Sequence, residues 1–433
     1  MNRINALLYA LLISSAATAQ STSSPGTPAV DPVRLIQVYN SGDSLKYQTY
    51  FASLTPDLSQ IAANSRRMQR EFAQIGPLRL MKTTVVSPTQ TELALKTDAY
   101  DSWWKLILFT DSTQAFKEHR MRPVRLSGEF LSGEKRSLAQ ALSATDQYIA
   151  KLVAQQLFAG NVLIAHGNEV LYRKSFGNNP ARRPNTAAQS FQLASLSKLF
   201  TSISILQLAD EGRLSLEDSI GRLLPGLSNK ALYPITIRQL LTHSSGMGDF
   251  FEDPAYAPQP DQVLTSQQIR AAIDQDRPHF PAGQAFRYSN TGYLLLGLVV
   301  EKLGGLPFAD YVAKRILGPV GMPDTRVDNG AGGGFSTLSD LYRFSQALRN
   351  SELLAKATTQ TFLTHHTPDW GLGQEYQALG REVVTGHSGG YIGACTELNM
   401  YQHSGYTVII LSNTEPPYGH FLSDKIKELL LSN

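Results

Sequence analysis

Ser195-Leu196-Ser197-Lys198 sets a hydroxyl and an amine three residues apart. The residues that follow carry a helical stripe of Leu196, Leu199, Phe200, Ile203 and Leu206, and Gly212 can end the helix. Residues three apart share a helix face, so the spacing puts Lys198 beside the Ser195 hydroxyl. A serine hydroxyl is a weak nucleophile that needs a base within hydrogen-bond reach. A lysine amine ordinarily titrates at about 10.4, so it must be desolvated or set near positive charge to serve as that base at neutral pH. The pattern alone is not specific. Ser132-Gly133-Glu134-Lys135 repeats it in a polar stretch with no apolar period. By itself S-x-x-K describes a helix N-terminus with a solvated lysine equally well.

Two later clusters could complete a site. Tyr288-Ser289-Asn290 precedes an apolar run, Thr291 to Leu303, that reads as a buried helix ending at Gly304. A phenol near a cation can become a phenolate that takes the serine proton, and the Asn290 amide can hold Lys198 and a substrate carbonyl. Alone, the cluster describes a packed tyrosine with an asparagine helix cap. Thr385-Gly386-His387-Ser388-Gly389-Gly390 lies between extended runs. Small residues there let a substrate lie against the backbone. The Gly390 N–H can meet a developing oxyanion together with the N–H of Ser195. The bland alternative is a glycine-rich hairpin.

Other chemistry is weakly supported. Cys395 is the single cysteine and sits in an apolar run, as a small buried hydrophobe would. The nine histidines are scattered with no ligand spacing, so no metal and no cofactor is expected. A net charge of +3 without a Lys/Arg run points away from nucleic acid.

These motifs must be positioned by folded elements. With 42% hydrophobic and 17% charged residues, the chain of 433 can bury a sizeable core. Residues 1–19 read as a signal peptide: Asn2-Arg3, an apolar stretch from Ala6 to Ile13, then Ala17-Thr18-Ala19. Cleavage after Ala19 and a periplasmic or secreted location follow. No later segment is apolar enough to span a membrane. Residues 20–30 read as a linker. Residues 31–126 read as a small α+β domain, helical from Pro32 to Ile75 with a break at Asn40 to Asp43. Strands follow at Leu78–Val86, Glu92–Lys96, Trp103–Thr110 and Phe116–Leu126. This order is similar to the cone-shaped nuclear-transport-factor-2-like domains. After a linker at 127–139, residues 140–433 form the second domain. A hairpin around His166-Gly167-Asn168 and the C-terminal strands are expected to pair in one antiparallel sheet flanked by helices. The expected class is α+β throughout, with an all-helical region between about residues 190 and 350.

The three motifs, in this order, resemble the serine β-lactamase and penicillin-binding protein superfamily. The nearest group is that of class C β-lactamases, D,D-carboxypeptidases, D-aminopeptidases and class VIII esterases. Flanking stretches match as well: Ala194 to Thr201, Ile235 to Met247, Leu317 to Met322 and Gly333 to Thr337. The resemblance implies that Ser195 is acylated and that Lys198 and Tyr288 share the proton work. It implies that Asn290 orients Lys198 and substrate, with His387, Ser388 and Gly389 lining the substrate. His387 takes the place of the third-motif cation, and the N–H groups of Ser195 and Gly390 form the oxyanion hole. His243 is implied to be structural.

One departure matters. β-Lactamases usually carry Lys-Thr-Gly as the third motif, where the lysine is a fixed cation for a substrate carboxylate. A histidine is largely neutral near pH 7. The expected activity is therefore cleavage of a small ester, amide or peptide, including peptidoglycan-derived ones, rather than efficient β-lactam hydrolysis. The pocket should be shaped by the aromatic loops Gly248 to Asp261 and Thr364 to Tyr376. Two alternatives compete. One is a penicillin-binding-like sensor of a ligand or peptidoglycan without turnover. The other reads Gly386 to Gly390 as the G-x-S-x-G elbow of an α/β-hydrolase, with Ser388 as nucleophile and Glu397 or Glu415 with His420 as partners.

Overall fold

The computed structural model describes residues 30–431 apart from 98, 112–115, 129–130, 132–134 and 257–262. The expected signal peptide, its cleavage site and the linker as far as Ala29 lie outside the described residues, as do Ser132 and residues 257–261 of the first pocket loop. The chain divides into two compact units between Leu126 and Ser127.

In the smaller unit three helices precede four strands. They are α1 (Pro32–Asn40), α2 (Ser44–Ala52) and α3 (Leu58–Ile75), then β1 (Leu78–Ser87), β2 (Gln90–Thr97), β3 (Trp103–Thr110) and β4 (Phe116–Pro123), an antiparallel meander. Each helix starts on an aspartate. Asp31, Asp43 and Asp57 accept backbone N–H groups of the first turn, which satisfies donors that a helix start leaves over. Alternation in the strands sends Leu93, Leu95, Leu106 and Leu108 to the core, against Tyr39, Tyr47, Phe51 and Met68 of the helices.

The larger unit is built on a six-stranded antiparallel sheet. Its strands are β5 (Gly160–His166), β6 (Glu169–Phe176), β7 (Glu375–Leu379), β8 (Glu382–Tyr391), β9 (Ala394–Tyr401) and β10 (Tyr406–Ser412), in the order β6-β5-β10-β9-β8-β7. The first hairpin pairs with the last strand, as expected, with Val162 opposite Ile410 and Ile164 opposite Val408. Period-two alternation gives the sheet two different faces. On β9, Leu398 and Met400 enter the main apolar cluster. Alternating with them, Glu397 and Asn399 turn to the C-terminal helix (Tyr418–Leu431), where Asn399 reaches Ser423.

The apolar face carries the helical region. Its centre is α4 (Lys198–Asp210), buried over Lys198 to Leu208 without interruption, packed on α5 (Asn290–Gly304). Helices buried around their whole circumference lie at the middle of a core, and the polar side chains Ser202 and Ser204 of α4 are satisfied there by the carbonyls of Lys198 and Phe200. α5 begins at Ser289, whose hydroxyl accepts the Gly292 N–H at 2.9 Å, and ends at Gly305 in the left-handed conformation. Ser289 is therefore the cap, which leaves the Asn290 side chain available for other contacts.

Candidate active site

Ser195 does not lie on the α-helix itself. Ala194–Ser197 is a tighter 3₁₀ turn, and α4 starts at Lys198. The turn opens on Ala194, which has φ +50, a left-handed conformation that a Cβ disfavours. A glycine loop holds it there. Gly333 N–H donates to Ala194 O at 3.2 Å, and Leu193 N–H donates to Gly334 O at 3.0 Å. Gly334 has φ +83, and a Cβ on it would stand 2.2 Å from the Arg326 carbonyl oxygen. In a 3₁₀ turn residues three apart eclipse, so the expected pairing of Ser195 with Lys198 holds for a different geometric reason.

Lys198 is fully buried and its Nζ has three neighbours. Ser195 Oγ is at 3.1 Å, Asn290 Oδ1 is at 2.7 Å, and the Ala331 carbonyl oxygen is also hydrogen-bonded. Burial pushes the amine down to about 7, with Asp249 pulling the other way. The rings of Tyr288 and Tyr293 lie 5.0 and 5.5 Å from Nζ. Asn290 in turn donates through Nδ2 to Asp249 Oδ2 at 2.7 Å.

The Ser195 hydroxyl favours the Tyr288 phenolate, yet burial dominates and holds the phenol well above the usual 10. The phenolate expected from the sequence is thus disfavoured, because the low-dielectric surroundings penalise its charge more than Ser195 favours it, and the Asp249 carboxylate adds to the penalty. His387 is likewise not a cation. Burial pushes it down to about 4, and Glu375, 3.9 Å from Nδ1, only partly opposes this. Its Nδ1 donates to the Ser388 carbonyl oxygen at 2.5 Å, which leaves Nε2 as the ring's acceptor.

The third motif lies on β8, pressed against the nucleophile turn. His387 pairs with Leu398 and Gly389 with Thr396 across to β9, so both side-chain directions face the turn and α4. Trp370 fills the space behind. It is buried, donates Nε1–H to Leu241 O at 3.2 Å, and sets its ring edge-on to His387 at 5.4 Å and to His243 at 4.8 Å.

Ser195, Lys198, Tyr288, Asn290 and His387 thus converge from three segments distant in sequence. The β-lactamase family model matches residues 145–432. The chain belongs to the β-lactamase family. It is 31% identical over 314 residues to penicillin-binding protein 4* of Bacillus subtilis (strain 168), over 60% of this chain and 68% of that one. Among solved structures, a penicillin-binding protein from Bacillus halodurans is 25% identical with a TM-score of 0.56, covering 64% of this chain and 98% of its own. A D-stereospecific amidohydrolase from Streptomyces sp. is also 25% identical with a TM-score of 0.56, covering 63% and 94%.

Further residues stand out in this β-lactamase-family site. Ser388 is not on a strand–turn–helix elbow but inside β8. Its hydroxyl donates to Glu375, and its N–H donates to the same carboxylate oxygen at 3.0 Å. Glu397 and His420 do form a buried pair, but the Ser388 hydroxyl is directed to Glu375 rather than to a histidine. The α/β-hydrolase reading therefore lacks both its elbow and its base. His243 is packed among Tyr288, Tyr293 and Trp370, and its Nδ1 accepts the Ser289 N–H at 3.1 Å. Burial holds it neutral. Asp249, Trp370, Glu375 and the Ala331 carbonyl were not marked by any sequence motif. Asp249 does lie in the aromatic loop Gly248 to Asp261, and Trp370 and Glu375 in the aromatic loop Thr364 to Tyr376, which the sequence marks as pocket-shaping without assigning a role to any of the three.

Proposed function

We propose that this chain is a serine hydrolase that forms an acyl-enzyme on Ser195 and cleaves an ester or amide bond. The arrangement around Lys198 carries the reading. A neutral amine has two N–H groups and one lone pair. Asn290 Oδ1 and Ala331 O can only accept, so they take the two hydrogens. The lone pair is left facing Ser195 Oγ at 3.1 Å. With the amine brought down to about 7, much of it is neutral at physiological pH.

The steps then balance. Lys198 takes the Ser195 proton as the Oγ–C bond forms at the substrate carbonyl. The oxyanion falls to the N–H groups of Ser195 and Gly390. The proton passes from Lys198 through the Tyr288 hydroxyl to the leaving alcohol or amine as its bond to carbon breaks. Water adds to the acyl-enzyme, loses a proton to the same pair, and the acid departs with the Ser195 hydroxyl restored.

The third motif informs the substrate. A carboxylate-bearing ligand would meet neutral His387 and the Glu375 carboxylate where a lysine would be favourable. This favours neutral esters and amides, including those of D-amino acids, over β-lactams. The likeness to a D-stereospecific amidohydrolase supports the same direction. The test is a panel of short p-nitrophenyl esters, D-amino-acid amides, D-Ala-D-Ala peptides and nitrocefin. Turnover should appear for esters or amides and vanish in Ser195→Ala, while Ser388→Ala only weakens it. Nitrocefin turnover at the rate of a dedicated β-lactamase would overturn the substrate assignment. Mass spectrometry of the acyl-enzyme over time distinguishes turnover from a sensor that traps its ligand. Residues 1–19 are proposed to direct export, which N-terminal sequencing of the exported protein would test at Gln20.

A further inference from the structure

The carboxylate of Asp249 occupies a position that the proposed chemistry has not used. Its Oδ1 accepts the Phe251 N–H at 3.0 Å. Its Oδ2 accepts both the Asn290 Nδ2 at 2.7 Å and the Asn290 N–H at 3.3 Å. All three partners are donors. A protonated acid there would have no acceptor for its hydrogen, so the geometry calls for the ionised form, against burial, which raises its pKa.

An asparagine amide has a donor end and an acceptor end that can exchange by a half-turn. Asp249 removes that freedom, because only the NH2 end can face a carboxylate. The Oδ1 end must then face Lys198. We infer that Asp249 is a positioning residue: it fixes which end of the Asn290 amide Lys198 meets, and thereby aims the lysine lone pair at Ser195. The inference rests on the reading of Ser195 as nucleophile and Lys198 as base.

The isosteric Asp249→Asn change isolates this role. The Phe251 N–H needs an acceptor and claims the new amide oxygen. The new NH2 group then points at Asn290, donor against donor. Asn290 must turn, which presents its own NH2 to Lys198. The lysine loses one of its two fixed acceptors and its lone pair is no longer directed. The double variant Asp249→Asn with Asn290→Asp restores the pattern, since the carboxylate introduced at position 290 would accept from both sides.

The acid limb of activity supplies an independent readout. The charged and titratable groups around Lys198 are Asp249, His243 and His387, with the Tyr288 and Tyr293 phenols, and Glu375 beside His387. Asp249 is the anion that favours the protonated lysine. Its neutralisation should move the acid limb of kcat/KM to lower pH. In the double variant the carboxylate touches Lys198 directly, so the limb should move above the wild-type position.

The experiment measures kcat/KM against pH for p-nitrophenyl acetate, and the rate of Ser195 phosphonylation by a fluorophosphonate, with thermal melting as the fold check. Asp249→Asn should lose about tenfold to a hundredfold at the plateau. The double variant should recover part of this at alkaline pH. Wild-type rates in Asp249→Asn would overturn the inference. So would a loss with an unshifted limb that the double variant does not repair, which would make Asp249 only a support for its loop. Should Asp249→Asn not fold, the double variant carries the test: a limb at or below the wild-type position overturns the inference. Activity surviving in a Ser195→Ala control would instead refute the underlying assignment of the nucleophile.

Discussion

The Leu193 carbonyl oxygen stands where a side chain on Gly389 would go. A Cβ built there would lie 2.3 Å from that oxygen, 2.5 Å from Thr396 Oγ1 and 3.1 Å from the Leu196 backbone nitrogen. Two of these atoms are backbone of the nucleophile turn and cannot rotate away. The strand with the proposed oxyanion donor and the turn with the nucleophile are thus held at contact distance by the absence of one methyl group. Gly389→Ala should push β8 off the turn. We expect about a hundredfold loss of kcat/KM with a stability cost of about 1–3 kcal/mol. Near-normal kinetics together with an unchanged melting curve would show that the strand yields without displacing the site.

Lys198 sets the expected pH profile. The base must be neutral to work, so kcat/KM for a neutral ester should rise with pH through about 7. His387, held near 4, and Tyr288, held well above 10, should add no limb in between. Stability follows the same group. Unfolded, the amine keeps its proton up to its ordinary 10.5, while folded it releases it near 7. Between those values the unfolded chain binds more protons, so Lys198 destabilises most below 7 and progressively less as pH rises. Lys198→Met should be inactive yet more stable than wild type at pH 6, with the gain shrinking toward pH 10. Denaturant melts at the two pH values decide this, and a gain that grows with pH would refute it.

Much of this site was legible in the sequence because its parts are local. Ser195 and Lys198 lie within one turn, Tyr288 and Asn290 flank one helix entrance, and His387 to Gly390 sit on one strand. Residues that act through folded geometry left no such mark. The Ala331 carbonyl that takes a lysine hydrogen is backbone, which any residue supplies. Asp249 lies between Gly248 and Phe250 in a stretch without period, and its partner Asn290 is far along the chain. The charge state of Tyr288 could not be read either, since burial sets it and burial is a property of the assembled core; a largely neutral His387 was expected from the ordinary histidine pKa, and burial pushes it further the same way. The sheet was readable from its alternating strands and the order of its hairpin. The 3₁₀ turn at Ser195 was not, because its apolar stripe continues unbroken into α4.

Trp370 should matter to both stability and rate. Its ring is in contact with His387, His243 and Tyr288, at 5.4, 4.8 and 5.8 Å between ring centres. Its Nε1–H satisfies the Leu241 carbonyl, which also accepts from Tyr293. Trp370→Phe keeps most of the packing but drops that hydrogen bond, and should cost about 1–2 kcal/mol. Trp370→Ala leaves a cavity behind the third motif and should cost about 3–5 kcal/mol. Because one of the released rings, Tyr288, belongs to the proposed proton relay, kcat should fall more than KM rises. A rise in KM alone would place Trp370 in substrate binding instead.

The identity of residue 387 offers a direct test of why this family member should disfavour β-lactams. His387 is buried, neutral and edge-on to Trp370, with Lys198 among the charges that lower it. His387→Lys would place a second amine in the same field. If it ionises, it repels charge on Lys198, so the acid limb for a neutral ester should move further below 7. The same ammonium would give a substrate carboxylate the partner that the wild-type site lacks. A charge-assisted hydrogen bond contributes about 1.5–3 kcal/mol, which corresponds to about tenfold or more in the ratio of nitrocefin to ester kcat/KM. The ratio is the informative quantity, because the larger buried side chain can lower both rates through packing. Equal loss on the two substrates, with no shift of the limb, would mean that the third-motif charge does not govern selectivity here.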